Sequence, residues 1–479
     1  MSCPPVATTT KQGLTDMTYQ TVNPYTGELV ASYAFATDQE IDATIEKAHE
    51  AFLGWRATVS GDRSKILTRA AELLRADKRA FAEVLTLEMG KILAEAEAEV
   101  ELSAEILDYF AGRGAGFLAD EPLAVKDAGE GAVTIVHEPL GVIYAIEPWN
   151  FPYYQVVRVA AAQLLAGNTI ILKHAENVPA AALAMQRLFD DAGVPDGVFS
   201  NLFAPISATE HILAHPLVRG VALTGSERAG TAVGAAAGRN LKKSTMELGG
   251  ADAFIVLDDA DIDKTVAWAV FGRHWNAGQV CVSAKRLIIA DAVYDEFMGK
   301  YRAGVAALRA GDPRDPATQL APLSTQKAAD NLAAEVAMAV EGGATAETPG
   351  QPVPARGAFF QPTILTDVSP ANPAFQTEFF GPVSMVFRVA DEDEAVTVAN
   401  ASRYGLGGSV FSRDTARGER VARRIETGMV FVNHPTAVKA DIPFGGVKVS
   451  GYGNELTEFG IREFVTNKVI DVVDIDAPF

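Results

Sequence analysis

A chain of 479 residues is too long for one hydrophobic core, so two or more domains are expected. With 48% hydrophobic and 21% charged residues it has the composition of a folded globular protein, and a formal charge of −20 excludes a nucleic-acid partner, which needs a basic surface. Cys3 and Cys281 are the only cysteines, which excludes a disulfide framework and makes a reducing, cytoplasmic compartment the expectation.

In chain order, residues 1–17 are polar, with Pro4, Pro5 and a threonine run, and read as a loose tail lacking the apolar core of a secretion signal. No stretch of about 20 residues is apolar enough to span a bilayer, so no membrane partner is expected. Helical periodicity predicts amphipathic surface helices over 38–56, 62–80 and 82–112. Alternation over 132–139 and an apolar run over 141–146 predict an exposed strand followed by a buried one. Apolar strands at 169–173, 197–203, 220–224 and 253–257 alternate with Ala-rich helices, the pattern of a doubly wound α/β sheet. A second series predicts strands at 286–289, 361–365, 383–388, 408–411 and 429–433. The β-prone segment 464–473 predicts a strand that pairs outside its own subunit.

Four segments carry chemistry. In Pro148-Trp149-Asn150-Phe151-Pro152 two prolines hold an Asn in a stiff turn past a buried strand, where its amide can donate to an oxyanion or simply bond its own backbone. Thr224-Gly225-Ser226 closes a strand and opens a helix, so free N–H groups and the Ser226 hydroxyl can meet a pyrophosphate; it is not a G-x-G-x-x-G fingerprint. Glu247 precedes Leu248-Gly249-Gly250, a carboxylate at a glycine-marked strand end that reads either as a base or as a solvated loop residue. Gly278-Gln279-Val280-Cys281 sets a thiol at a glycine turn near Lys285 and Arg286, surroundings that favour thiolate; the alternative is a small buried hydrophobe.

These segments, in this order, resemble the aldehyde dehydrogenase superfamily from about Val22 to Val473. Further matches are Leu172-Lys173-His174-Ala175-Glu176, which departs from the family's Lys-Pro-Ser-Glu, then Glu378-Phe379-Phe380-Gly381-Pro382-Val383, and Pro443-Phe444-Gly445-Gly446-Val447-Lys448 with Ser450-Gly451. The resemblance implies an α/β fold of aldehyde dehydrogenase type. A Rossmann-type cofactor domain would take 1–119 and 141–247, an α/β catalytic domain 248–440, a return to the cofactor domain 441–459, and a small β oligomerisation extension 120–140 with 460–479. A homodimer or homotetramer follows from that extension.

The same resemblance implies roles. Cys281 attacks the aldehyde, Asn150 and the Cys281 N–H hold the oxyanion, and Glu247 activates the water that hydrolyses the thioester. Lys173 and Glu176 fall near the adenine ribose, Gly225 and Ser226 at the pyrophosphate, Trp149 along the groove, Glu378 at the nicotinamide ribose and Phe380 beside the nicotinamide. Glu176 favours NAD over NADP by repelling a 2′-phosphate. Within the superfamily, Lys173-His174-Ala175, Lys242-Lys243 and Val432-Asn433-His434-Pro435 look like the bacterial succinate-semialdehyde dehydrogenases. Arg158 falls where such enzymes clamp a distal carboxylate, whereas their second Arg is Trp275 here, so Lys439 or His434 is expected to replace it. Ser283 stands where some relatives carry a second Cys, which excludes a switch disulfide with it. Other small or medium aldehydes, a CoA-acylating relative and a catalytically idle one are the competing readings.

Overall fold

The computed structural model describes residues 18–124 and 131–476; the tail reading of 1–17 and part of the 120–140 extension lie outside them. Alternating side chains fold β1 (Thr18–Val22) back on β2 (Leu29–Ala34) as an antiparallel hairpin, an element the periodicity did not mark. Helix α1 (Asp38–Trp55) starts at a capping box in which Glu40 accepts the Thr37 N–H at 2.8 Å. The two longer expected helices are three: α2 (Ser60–Ala76), α3 (Lys78–Met89) and α4 (Leu93–Phe117). Asp77 leaves the helical region at φ −110°, ψ 25°, and Gly90, at φ 74°, caps α3 in the left-handed conformation. Nor is α4 a surface helix, since Glu99 and Ser103 are buried along with its apolar residues.

Strands β3 (Glu121–Leu123) and β4 (Gly131–Pro139), which belong to a separate antiparallel sheet, lead into a doubly wound unit: β5 (Val142–Glu147), α5 (Pro152–Ala166), β6 (Thr169–His174), α6 (Pro179–Ala192), β7 (Phe199–Asn201), α7 (Thr209–Ala214), β8 (Val218–Thr224), α8 (Glu227–Arg239) and β9 (Lys243–Glu247). Strands β9, β8, β5, β6 and β7 are parallel neighbours in that order. One core, from α2, α4, α5 and α6, covers one face, and a second, from α1, α7 and α8, covers the other. The register pairs Glu247 with Thr224, Leu223 with Ile146, and Glu147 with His174. Glu247, Thr224, Glu147 and His174 therefore form one rank at the carboxyl ends of four strands, where open α/β sheets bind ligands.

The second unit comprises β10 (Ala253–Val256), α9 (Ile262–His274), β11 (Arg286–Ala290), α10 (Asp291–Ala306), α11 (Gln326–Glu341), β12 (Thr345–Glu347), β13 (Thr363–Thr366), β14 (Val383–Val389), α12 (Glu392–Asn400), β15 (Tyr404–Gly405), β16 (Gly408–Phe411), α13 (Thr415–Ala422) and β17 (Phe431–Val432). Its seven-stranded sheet runs β12-β13-β14-β11-β10-β16-β17, with β12 alone antiparallel. The chain then returns. Strand β18 (Val447–Lys448) pairs β15, and β19 (Gly451–Tyr452) joins the first sheet antiparallel to β9. After α14 (Thr457–Arg462), β20 (Val465–Val473) pairs with β4 along its full length, so the strand expected to leave the subunit is first held within it. Its other edge carries Val469 and Val472, 60% and 64% exposed.

Candidate active site

The loop that carries Cys281, the expected nucleophile, lies between α9 and β11. Asn276 and Ala277, both at φ 52°, and Gly278, at φ 76°, are three successive left-handed residues, a conformation that costs a non-glycine residue about 1–2 kcal/mol. Side chains hold it there. The buried Arg273 guanidinium donates to the carbonyls of Val383 at 2.7 Å, Phe379 at 2.9 Å and Gly278 at 3.3 Å, and to the Ser283 hydroxyl. Ser283 in turn donates to Gly272 O at 2.7 Å, so it anchors the loop. Gln279 accepts the Ser324 N–H at 2.9 Å, and the Lys285 ammonium donates to the Val280 and Cys281 carbonyls at 2.6 and 2.7 Å. Of the two cations expected beside the thiol only Lys285 is there; Arg286 turns away to the Ala399 carbonyl at 3.0 Å.

The loop docks on the Asn150 turn. Asn150 Nδ2 donates to Gln279 O at 3.0 Å, and Asn276 Nδ2 donates to Asn150 O at 3.0 Å. Helix α4 and the residues just before it brace both: Lys91, two residues ahead of the helix, donates to Asn150 O at 3.0 Å, Glu95 accepts the Asn276 N–H at 3.2 Å, and Glu99 caps α5 by accepting the Tyr153 N–H at 2.9 Å. Lys91 and Glu99 form a fully buried ion pair. Burial pushes Glu95 up to about 7.

Glu247 ends β9 beside the same loop. Gly250 shows why glycines follow it: a Cβ there would lie 2.6 Å from Cys281 O. The Gly250 N–H donates to Glu378 at 3.0 Å, and Glu378 is 3.1 Å from Lys285, which joins the expected nicotinamide-ribose carboxylate to the thiol loop. Trp149 and Phe380 meet edge to face at 5.6 Å. Both Glu247 oxygens are buried without a hydrogen bond. Its pKa is held well above the usual carboxylate range by burial first and by Glu455 next, with Arg158 opposing. Burial likewise pushes the Cys281 thiol up to about 12, against the pull of Lys285 and Arg158.

A groove of about 860 Å³ opens at the strand ends, lined by Trp149, Lys173, Glu176, Thr224, Ser207 and Lys327 among others. It has the size and the cation for a dinucleotide. Lys173 stands 4.0 Å from Glu176, whose side chain is 38% exposed. One expected pyrophosphate donor is already used, since the Gly225 N–H donates to Glu247 O at 2.9 Å; Ser226 Oγ caps α8 by accepting the Ala229 N–H at 3.3 Å, which leaves its hydroxyl hydrogen free to donate. His174, the departure from the family pattern, links strand to helix. Its Nε2–H donates to Pro152 O at 2.9 Å and its Nδ1 accepts the Ala175 N–H at 2.9 Å, which fixes a neutral tautomer.

The expected carboxylate clamp does not stand free. Arg158 is 1% exposed, ion-paired with Glu455, and donates to Tyr154 Oη at 2.8 Å and Thr224 Oγ1 at 3.0 Å. Sequence order gave no sign of Glu455 as its partner. Trp275 stands 5.1 Å from Phe151 and 6.0 Å from Phe271 as part of an aromatic wall. His434 packs on Trp268 at 4.4 Å. Lys439 is exposed between Val438 and Ala440, which like Cys281 pack against the first core, and makes no ion pair among the described residues.

A thiol at a braced turn, a buried carboxylate and a dinucleotide-sized groove, set between two α/β sheets, define an aldehyde-oxidising dehydrogenase of the nicotinamide class. The aldehyde dehydrogenase family matches residues 11–470, and the chain belongs to it. It is 51% identical over 452 residues to the succinate-semialdehyde dehydrogenase (NADP(+)) of Deinococcus radiodurans, covering 94% of each chain. It is 44% identical over 454 residues to succinate-semialdehyde dehydrogenase (NADP(+)) 1 of Mycobacterium tuberculosis, covering 95% of this chain and 99% of that one. The crystal structure of succinic semialdehyde dehydrogenase from Streptococcus pyogenes in complex with NADP+ is 41% identical, with a TM-score of 0.93 over 95% of this chain and 100% of that one. No helix among the described residues is long and apolar enough to cross a membrane.

Proposed function

We propose that the chain oxidises succinate semialdehyde to succinate through a thioester on Cys281. The observation that carries this reading is the docking of the nucleophile loop on the Asn150 amide, 3.0 Å from Asn150 Nδ2 to Gln279 O. The Cys281 thiol loses its proton to Glu247 and its sulfur bonds the aldehyde carbon, with the second Asn150 N–H and the Cys281 N–H facing the oxyanion. A dinucleotide would be held by Trp149, Lys173, Glu378 and Phe380 and would supply the hydride acceptor. Glu247 gives that first proton to water in the groove, then takes a proton from the hydrolytic water as the water oxygen bonds the acyl carbon and the C–S bond breaks, and the departing Cys281 thiolate regains a proton from water. A base at this place favours hydrolysis over transfer to CoA.

Two finer assignments follow. NADP(+) is the better acceptor, reversing the expectation from Glu176: the named relatives use it, and the loose 4.0 Å pairing leaves Lys173 able to meet a 2′-phosphate while Glu176 swings outward. Lys439, assisted by His434, meets the distal carboxylate, because the Arg158 fork is occupied by Glu455. The unpaired edge of β20 is the surface through which copies assemble as a homo-oligomer.

Steady-state kinetics with succinate semialdehyde and hexanal, each with NADP(+) and NAD, test the reading. Lys439→Ala is expected to lower kcat/KM roughly tenfold for succinate semialdehyde alone, the size of one charge-assisted contact at about 1.4 kcal/mol. Equal losses for both aldehydes refute the clamp, and absence of turnover with succinate semialdehyde refutes the substrate.

A further inference from the structure

Glu247 must release the proton it takes from water before the next turnover, and the structure limits where that proton goes. Its carboxylate is 2% exposed. Toward the C-terminal segment it meets Glu455, which is held in the ion pair with Arg158 beside a void of only about 10 Å³. In the other direction lie Thr224 and Glu147, next along the rank of strand ends, and both line the dinucleotide groove. With strands spaced about 4.8 Å apart, Glu247 and Glu147 stand roughly 10 Å from each other across Thr224. Glu147 is itself 2% exposed, and neither of its oxygens has a hydrogen-bond partner of full geometry among the described residues. A buried carboxylate left this way is costly unless it has a use. Thr224 Oγ1 accepts from Arg158 at 3.0 Å, which leaves the hydroxyl hydrogen free for a carboxylate.

We propose that Glu147 is a proton-relay residue, receiving through the Thr224 hydroxyl the proton that Glu247 takes from the hydrolytic water and passing it to water in the dinucleotide groove. The transfer balances as a chain: Glu247 O–H gives its proton to Thr224 Oγ1, the Thr224 hydrogen moves to Glu147, and protonated Glu147 gives one proton to groove water, so both carboxylates return to their starting state. The groups that face Glu147 are Arg158 from α5, Thr224 from β8, Glu247 from β9, Glu455 from the C-terminal segment and the neutral His174 from β6. Burial and the two neighbouring carboxylates keep Glu147 well above the usual carboxylate range, and Arg158 and Thr224 oppose them. Glu147 and Glu247 are thus raised in the same direction, by burial first in each case.

This inference rests on the proposed thioester route, and its test separates the two. Pre-steady-state and steady-state rates are measured with succinate semialdehyde and NADP(+) for the wild type, Glu147→Gln, Thr224→Val and Thr224→Ser, with and without a small buffer base such as imidazole. The expected result for Glu147→Gln and Thr224→Val is a normal burst of NADPH, because hydride transfer precedes hydrolysis, followed by kcat about tenfold lower with KM unchanged. Imidazole restores the rate in part, Thr224→Ser is near wild type, and the acid limb of kcat moves to lower pH in Glu147→Gln because one negative neighbour of Glu247 is gone. Wild-type kcat in Glu147→Gln, loss of its burst, or a shifted acid limb with no change in the plateau overturns the relay. Absence of a burst in the wild type instead overturns the thioester route.

Discussion

Replacing Arg158 by Met keeps the bulk of the side chain and removes the cation that, among the described residues, opposes the raised pKa values of Glu147, Glu247 and Glu455. In the folded protein Arg158 is ion-paired with Glu455, bonds Tyr154 and Thr224, and stacks over the Phe444 ring at 4.5 Å. Breaking one half of such a buried pair costs about 3–5 kcal/mol, because the carboxylate left behind is uncompensated. The loss depends on pH, and its sign follows from the carboxylates. All three have folded pKa values raised by burial, with Arg158 holding each of them down. A carboxyl raised in the folded state retains a proton that the unfolded chain releases above about pH 4.3, so stability falls as pH climbs from there toward the folded pKa. Without Arg158 those pKa values rise further and the fall continues to higher pH. Urea unfolding of wild type and Arg158→Met at pH 5 and pH 8 reads this directly. The variant is expected to lose about 3–5 kcal/mol at pH 8 and much less at pH 5. An equal loss at both values, or less than about 1 kcal/mol at pH 8, refutes the account. The same variant should lose activity toward hexanal as much as toward succinate semialdehyde; a loss confined to succinate semialdehyde would restore Arg158 as the clamp.

Two further outcomes follow from the loop. Because burial holds the Cys281 thiol up to about 12, alkylation by iodoacetamide in the free enzyme should accelerate about tenfold per pH unit from 7 to 9, and a plateau below pH 9 contradicts this balance. Gly250→Ala places a Cβ 2.6 Å from Cys281 O and 3.0 Å from Leu406 Cβ. It should destabilise by about 1–3 kcal/mol, seen as a lower Tm, and cut kcat at least tenfold as the thiol is displaced; wild-type kcat would show that the loop yields freely.

Much of this was legible where backbone chemistry punctuates the chain. The prolines around Asn150 and the glycines after Glu247 each mark a turn at a strand end, the glycine before Cys281 marks the turn that follows α9, and the apolar runs between them fall on the strands of both sheets. The breaks at Asp77 and Gly90 were not legible, because the apolar period continues across them. Buried Glu95 and Glu99 look like any other acid in a Glu- and Ala-rich helix; only packing against α5 and the Asn276 loop separates them from surface residues. The Arg158–Glu455 pair joins distant parts of the sequence, and Glu147 precedes a conspicuous motif without belonging to it. Arg286 follows Lys285 directly yet points to the far side of β11, since neighbours along a strand face opposite ways.

Helix α4 touches the head of α5 through Glu99 and the Cys281 loop through Glu95, and Lys91, just before the helix begins, touches the Asn150 turn; thus one helix of the first unit and its lead-in carry struts to parts from both sheets. The catalytic gap is therefore a joint between two bodies. Catalytic competence reports that the joint has closed: refolding followed by activity should lag behind refolding of either sheet, and loosening a strut in α4 should disable the enzyme while leaving both sheets intact.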